Sequence, residues 1–408
     1  MKILLLLPLL LASCSSHLDL SSIPPPPVLK TTMKKRIALF FDGTSNVPKD
    51  KTNVFRLYEK VSQAPTGTDG VPQVAIYMQG VGTRPSDFFT GAAFGRGVSR
   101  DVRDSYATLR QHYREGDDIF LFGFSRGAFT ARSLAGFIAQ YGIVPEDSTI
   151  VVKQLYGDYR KIKQSRPIYR LKELPSEDLS AFEKDLIKES TIARVRFTGV
   201  WDTVSSVGMP WGDSKWSRKK NKYFETDPRL IYDECYQALA SDERRPDFRP
   251  ILWKSFIPGD QPVENPTWDA PTKFEQRWFV GVHSNVGGGY ANPSGLYKVP
   301  LHWMEGKAAA AGLTIPNRQK LKGDEHLGTI NPSFEDFKAY KIFRWVKPQI
   351  RPLLRKPERK VSKRGTVGWV YTRNEVIDET ALDRAKKGGS DGTPYSIQEV
   401  EDYTEVPR

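Results

Sequence analysis

The sequence is most constrained by a set of short, unbroken apolar runs that recur along the chain. Ile37-Ala38-Leu39-Phe40-Phe41 is the first, ended by Asp42-Gly43-Thr44. Others run from Val74 to Tyr77, Ile119 to Phe124, Val195 to Trp201 and Trp278 to Val282. A strand with one wet face alternates apolar and polar residues, whereas a strand covered on both faces reads as a continuous apolar stretch. Between the runs, Asn53 to Val61, Val102 to Tyr113, Ala128 to Tyr141 and Leu230 to Leu239 place apolar residues three and four apart, the spacing of a helix with one buried face. Strands alternating with helices predict an α/β fold with a mostly parallel central sheet and helices on both faces.

The ends of the chain differ from this middle. Met1-Lys2 precedes an apolar run from Ile3 to Leu11, interrupted only by Pro8, and then Leu11-Ala12-Ser13-Cys14. The run is too short to span a bilayer as a helix and has the layout of a signal peptide. Its end resembles the lipobox of bacterial lipoproteins, so Cys14 is expected to carry a lipid and residues 1–13 to be removed. Ser15 rather than Asp follows, which suits an outer-membrane, periplasm-facing anchor in the bacterial envelope. Residues 14–33 are rich in Ser and Pro, with Pro24 to Pro27 favouring an extended tether. The catalytic domain is expected over 34–312. From 313 to 408 the chain becomes basic, with Arg351, Arg355, Lys356, Arg359, Lys360, Lys363 and Arg364 close together. This region reads as a solvated layer packing on the core, or as a lid or membrane-facing flap.

Charge narrows the partners less than it first suggests. The 408 residues carry a net charge of +13, which attracts polyanions, whether nucleic acid or anionic lipid head groups. Lys215, Arg218, Lys219, Lys220 and Lys222 interleave with Trp216 and Tyr223, but no nucleic-acid module accompanies them. Nucleic acid is therefore not expected as a partner, and export argues against it too. The second of two cysteines, Cys235, lies in one of the helix-like stretches and reads as a small buried hydrophobe. No metal-ligand spacing is present, and no metal or cofactor is expected.

The chemistry-bearing residues sit at the ends of the apolar runs. Gly123-Phe124-Ser125-Arg126-Gly127 follows a buried strand directly and precedes a helix. A Gly-x-Ser-x-Gly match alone is weak in a chain of this length, but strand, tight turn and helix form the context of a nucleophile elbow. The simpler alternative makes Ser125 a plain helix cap. A serine hydroxyl needs a general base. Among His17, His112, His283, His302 and His326, only His283 directly follows an apolar strand, and the glycines after it allow its loop to bend back. Asp202 ends another strand and gives the chain order Ser, Asp, His. Asp42 also ends a strand and is the rival acid. Its loop is otherwise expected to supply one oxyanion donor from the Gly43 or Thr44 N–H, with the Arg126 N–H as the other, while Asp42 holds the loop.

Several of these pieces occur in the order seen in one family. Phe41-Asp42-Gly43-Thr44, Gly123 to Ala128, Gly199-Val200-Trp201-Asp202-Thr203-Val204, Ala238 to Arg245 with Phe248, Pro250 and Trp253, and Gly281 to Tyr290 together resemble the α/β-hydrolase domain of the type VI secretion phospholipase effectors. The resemblance spans roughly Lys34 to Gly312. It implies a Ser125–Asp202–His283 triad and cleavage of lipid acyl esters. Asn285 stands where the family often has Asp, which removes a charge beside the base. The lipoprotein-type signal is a second departure, since an effector delivered into another cell would not need one. The leading expectation is a tethered serine esterase or lipase acting on (phospho)lipid through an acyl-enzyme. The alternative is a non-catalytic envelope lipoprotein that uses a hydrolase-like body as a binding or scaffold module.

Overall fold

The computed structural model describes residues 28, 33–43, 46–80, 91–161, 166–204, 232–262, 273–291, 293–336, 347–353, 358–361, 367–390 and 392–397. Cys14, the tether prolines, Thr44 and the basic stretch 215–223 lie outside the described residues.

Seven strands form one sheet. They are β1 (Arg36–Phe41), β2 (Gln73–Met78), β3 (Asp118–Phe124), β4 (Val195–Trp201), β5 (Tyr232–Ala240), β7 (Lys273–Phe279) and β10 (Glu375–Ile377), in the order β10-β7-β5-β4-β3-β1-β2. Every pairing in it is parallel. Three further strands, β6 (Lys254–Pro258), β8 (Glu358–Val361) and β9 (Val367–Thr372), make a small antiparallel sheet.

The side-chain alternation of a strand explains the layers. Ile37, Leu39 and Phe41 face one core with Ile119 and Leu121. That core is closed by the helices Gly91–His112, Arg126–Tyr141 and Val152–Lys161. Ala38 and Phe40 face the other core with Phe120, Phe122 and Phe197. It is closed by α1 (Asn53–Ser62) and by the helix Lys298–Ala310. We number the helices used below α1, α2 (Gly91–His112), α3 (Arg126–Tyr141), α4 (His283–Gly287) and α5 (Lys298–Ala310). Both faces of β1 and β3 are thus dry, as their unbroken apolar runs demand.

Two elements depart from the sequence expectation. Leu230 to Leu239 was expected as a helix, but Tyr232–Ala240 is the strand β5. Glu234 and Gln237, polar residues within it, are 2% and 0% exposed. Gln237 is satisfied inside by Gln276, Thr203 and the Ile251 carbonyl, and Cys235 is fully buried beside it. The run Trp278 to Val282 was expected as a strand, whereas β7 ends at Phe279 and Val280–Val282 already belong to the loop.

The chain enters at β1, moves out to β2 and returns through α2 to β3 on the other side of β1. The carboxyl ends of β1 and β3 therefore diverge in connection, and such a switch point is where an open α/β sheet leaves room for a ligand. The basic C-terminal region joins this frame directly, because β10 is the edge strand of the same sheet.

Candidate active site

Ser125 sits between β3 and α3 with φ 57° and ψ −121°. A non-glycine residue at positive φ stores strain that its surroundings must hold. Here the Ser125 N–H donates to the Trp201 carbonyl at 3.0 Å, and Val204 N–H donates to the Ser125 carbonyl at 3.4 Å. Its neighbours must be small: a Cβ on Gly127 would come within 2.3 Å of the Phe41 and Asp42 carbonyls. Ser125 is the residue before α3, yet its side chain makes no capping bond to the helix. The plain cap reading of Ser125 therefore fails.

The hydroxyl goes elsewhere. Ser125 Oγ lies 2.8 Å from His283 Nε2, and His283 Nδ1 lies 2.5 Å from Asp202 Oδ2. All three residues are buried, at 4%, 4% and 0% exposure. The imidazole is held between Phe124, with ring centroids 4.6 Å apart, and Phe248, at 4.9 Å. Asp202 has φ 42° at the end of β4 and anchors its N–H on the Ala238 carbonyl at 2.7 Å.

Electrostatics fix the proton positions. Burial pushes the Asp202 carboxyl up, but the Arg351 guanidinium and then His283 outweigh it and bring it down to about 2. Asp202 is therefore an ionised acceptor, so Nδ1 carries the imidazole proton and Nε2 is left to accept the Ser125 O–H. Burial lowers the His283 pKa, against the opposing pull of Asp202.

The glycine-rich stretch after His283 forms α4 and then turns. Gly288 has φ 78°, and a Cβ there would lie 2.8 Å from the Asn53 nitrogen. This close approach lets Thr52 bridge to Gly288 and Asn53 Nδ2 donate to the Val286 carbonyl at 2.9 Å. Asn285 Oδ1 accepts the Val282 N–H at 3.2 Å and its Nδ2 donates to Asn331 Oδ1 at 2.7 Å. An Asp at this position would have no such donor, so the neutral side chain suits this loop.

Asp42 is not brought to His283. Its carboxylate accepts the Gly43 N–H at 2.7 Å, Thr52 Oγ1 at 2.8 Å and Tyr77 OH at 2.6 Å. It holds the loop after β1, and it is Asp202 that meets the imidazole. Burial raises the Asp42 carboxyl to about 6. The same geometry corrects the expectation for Gly43: its N–H is turned into Asp42 Oδ1 and does not point outward as an oxyanion donor. Thr44 lies outside the described residues. Arg126 opens α3, so its N–H stands at the positive end of that helix.

Sequence reasoning missed three contributors. Glu243 Oε2 accepts the His283 N–H at 3.1 Å and Asp242 Oδ2 accepts the Gly281 N–H at 2.6 Å, clamping the loop on both sides of Val282. Arg351 grips Asp202 with both terminal nitrogens. The acids stood in the quoted stretch Ala238 to Arg245, and Arg351 stood in a charge run that reads as a wet surface. A cavity of about 350 Å³ lies behind this frame, lined by Asp242, Glu243, Ser333, Arg351 and Tyr395 among others; Ser125 and His283 do not line it. Among the described residues, no cluster of three His, Cys, Asp or Glu side chains could hold a metal, and no helix is long and apolar enough to cross a membrane.

Comparison with known proteins decides the lineage. Residues 35–307 match the family model described as T6SS, phospholipase effector Tle1-like, catalytic domain. The chain belongs to this family. An uncharacterised Saccharomyces cerevisiae protein is 26% identical over 240 residues, which is 54% of this chain and 33% of that protein. Among solved structures, an uncharacterised Pseudomonas aeruginosa protein is similar with a TM-score of 0.42 and 17% identity, covering 76% of this chain and 51% of that one. A Tle1 effector bound to the VgrG spike of a type 6 secretion system is similar with a TM-score of 0.34 and 17% identity, covering 67% and 53%. The chain thus spans about a third of the yeast relative and about half of these two structures.

Proposed function

We propose that this Tle1-like protein is a serine esterase that hydrolyses acyl esters of phospholipids through an acyl-enzyme on Ser125. The observation that carries this reading is the hydrogen-bonded line from Ser125 Oγ through His283 to Asp202, on a serine whose side chain makes no capping bond. Family membership supports the substrate class.

In this mechanism Ser125 Oγ attacks the acyl carbonyl carbon while His283 Nε2 takes the hydroxyl proton. Asp202 stabilises the imidazolium that forms. The carbonyl oxygen becomes an oxyanion, and the Arg126 N–H at the start of α3 is the donor we assign to it. Collapse breaks the ester C–O bond, and His283 returns its proton to the departing alcohol. Water then gives its proton to His283 and attacks the acyl-enzyme, which releases the fatty acid and regenerates Ser125.

We further propose that lipidated Cys14 tethers the enzyme at the bacterial envelope, facing the periplasm, where the excess of Lys and Arg over Asp and Glu, 61 against 48 in the full sequence, adds attraction to anionic head groups. Replacement of Cys14 by Ser should then move the protein from the membrane fraction to the soluble one. The catalytic reading is tested by fatty-acid release from vesicles of phosphatidylethanolamine and phosphatidylglycerol. Wild type should release acid and Ser125→Ala should not; equal release by both would refute it.

A further inference from the structure

The family match ends at residue 307, yet side chains from beyond it hold the frame around His283 and Asp202. Asn331 holds Asn285, Ser333 Oγ donates to Glu243 at 3.1 Å, and Tyr395 OH donates to Asp242 at 3.3 Å. The strongest of these contacts is made by Arg351. Its Nη1 lies 2.6 Å from Asp202 Oδ1 and its Nη2 lies 3.0 Å from Asp202 Oδ2, so the guanidinium meets the carboxylate as two parallel bonds. The same nitrogens donate to the Ala240 carbonyl at 2.8 Å and to the Phe248 carbonyl. Arg351 is 5% exposed and Asp202 is fully buried.

Two consequences follow from this geometry. A carboxylate offers about four lone-pair directions. Those of Asp202 receive His283 Nδ1, the Ala240 N–H at 3.1 Å and both Arg351 nitrogens, so the group cannot rotate away from the imidazole. The second consequence is electrical. A cation against Asp202 offsets part of the negative charge that would otherwise favour the imidazolium. Of the other charged groups acting on His283, Arg245 lowers its pKa and Glu243 raises it, and the two are paired with each other at 2.8 Å. Arg351 acts on the imidazole through the Asp202 carboxylate with which it is paired.

We propose that Arg351 is a positioning residue for the reaction, fixing the Asp202 carboxylate and setting the charge it presents to His283, so that the segment beyond the matched domain is an integral part of the active site. This inference rests on the reading of Ser125, His283 and Asp202 given above. A stretch read from sequence as surface or lid is instead the source of a buried contact at the centre of the fold.

The test follows the rate at which a fluorophosphonate probe labels the protein as pH is varied. In that reaction the Ser125 Oγ–P bond forms, the P–F bond breaks, fluoride leaves and the hydroxyl proton passes to His283, so the rate reports activation of the serine whatever the natural ester is. Wild type should label and S125A should not. R351Q should label at least tenfold more slowly, and its acid limb should lie roughly one pH unit higher, because both Asp202 and His283 bind protons more tightly without the cation. R351K keeps the charge but loses the parallel bonds; its acid limb should stay at the wild-type position while its rate falls several-fold. A folded R351Q whose acid limb coincides with that of wild type overturns the inference, since a merely structural role lowers the rate without moving the limb. If R351Q does not fold, R351K decides: a slower rate at an unchanged melting temperature supports the inference, and a wild-type rate overturns it. Absence of labelling in wild type would instead overturn the parent reading of Ser125.

Discussion

Glu243 Oε2 accepts the backbone N–H of His283 at 3.1 Å, across 40 residues of sequence, while the same carboxylate holds Arg245 at 2.8 Å and Ser333 at 3.1 Å. Burial raises the cost of this charge, but Arg245 and its other partners more than offset that cost and the pKa of Glu243 is lowered. Removing one member of a buried ion pair strands the other. Glu243→Ala should therefore lose about 3 kcal/mol of stability in denaturant unfolding and label poorly at Ser125. Glu243→Gln keeps an acceptor for the His283 N–H and should lose less on both counts.

The pH dependence of activity has a defined sign. The pKa of His283 lies below its ordinary value of 6.5 because the ring is buried, and Asp202 is ionised down to about 2. Within the Ser125–His283–Asp202 line, only His283 then gains a proton as a neutral solution is made mildly acidic. The acid limb of kcat/KM should fit one proton, with its midpoint below 6.5. A limb centred above pH 7, or one needing two protons, would contradict this arrangement.

Asp42 should reveal itself in stability. Its folded pKa is raised from 3.8 to about 6, so the native state binds the proton more tightly than the unfolded chain does. Stability from this group is present below 3.8 and is lost as pH rises through 6. Asp42→Asn removes the titration and still offers an acceptor to the Gly43 N–H. The stability of Asp42→Asn relative to wild type should rise between pH 4 and pH 7, by roughly 2 kcal/mol. A difference that stays flat across that range would show that Asp42 does not titrate there.

Gly287 couples the turn after His283 to the base itself. A Cβ at this position would fall 1.9 Å from Phe124 Cε2, and the Phe124 ring packs on His283. Gly287→Ala should cost about 1–3 kcal/mol through overpacking. It should also slow labelling of Ser125, because the Phe124 ring that must give way packs on the imidazole. A variant with unchanged melting temperature and rate would show that the ring has room to move.

The parallel sheet and the three residues of the hydrogen-bonded line were legible in the sequence for one reason: Ser125 and Asp202 directly end apolar runs and His283 lies just beyond one. A parallel sheet brings the carboxyl ends of its strands together, so order along the chain translates into proximity. The strand β5 was not legible, because its buried Glu234 and Gln237 mimic the polar side of a helix, and their partners come from other strands. Gly43 looked like an oxyanion donor because nothing in a run such as Phe41-Asp42-Gly43 says that the carboxylate folds back onto the next N–H. Arg351 stands 149 residues from Asp202, in a stretch whose composition points to solvent, and no local pattern marks it as buried. Cys14 and the residues before it lie outside the described residues.

The central claim is that Ser125 is a nucleophile activated by His283. It is met most directly by intact-mass and peptide mass spectrometry after exposure of the native protein to a fluorophosphonate. The account predicts one adduct per chain, on the peptide that carries Ser125, which is absent from Ser125→Ala and slowed at least a thousandfold in His283→Ala, as loss of the base requires. An adduct on a different residue, or labelling of His283→Ala at the wild-type rate, would contradict it.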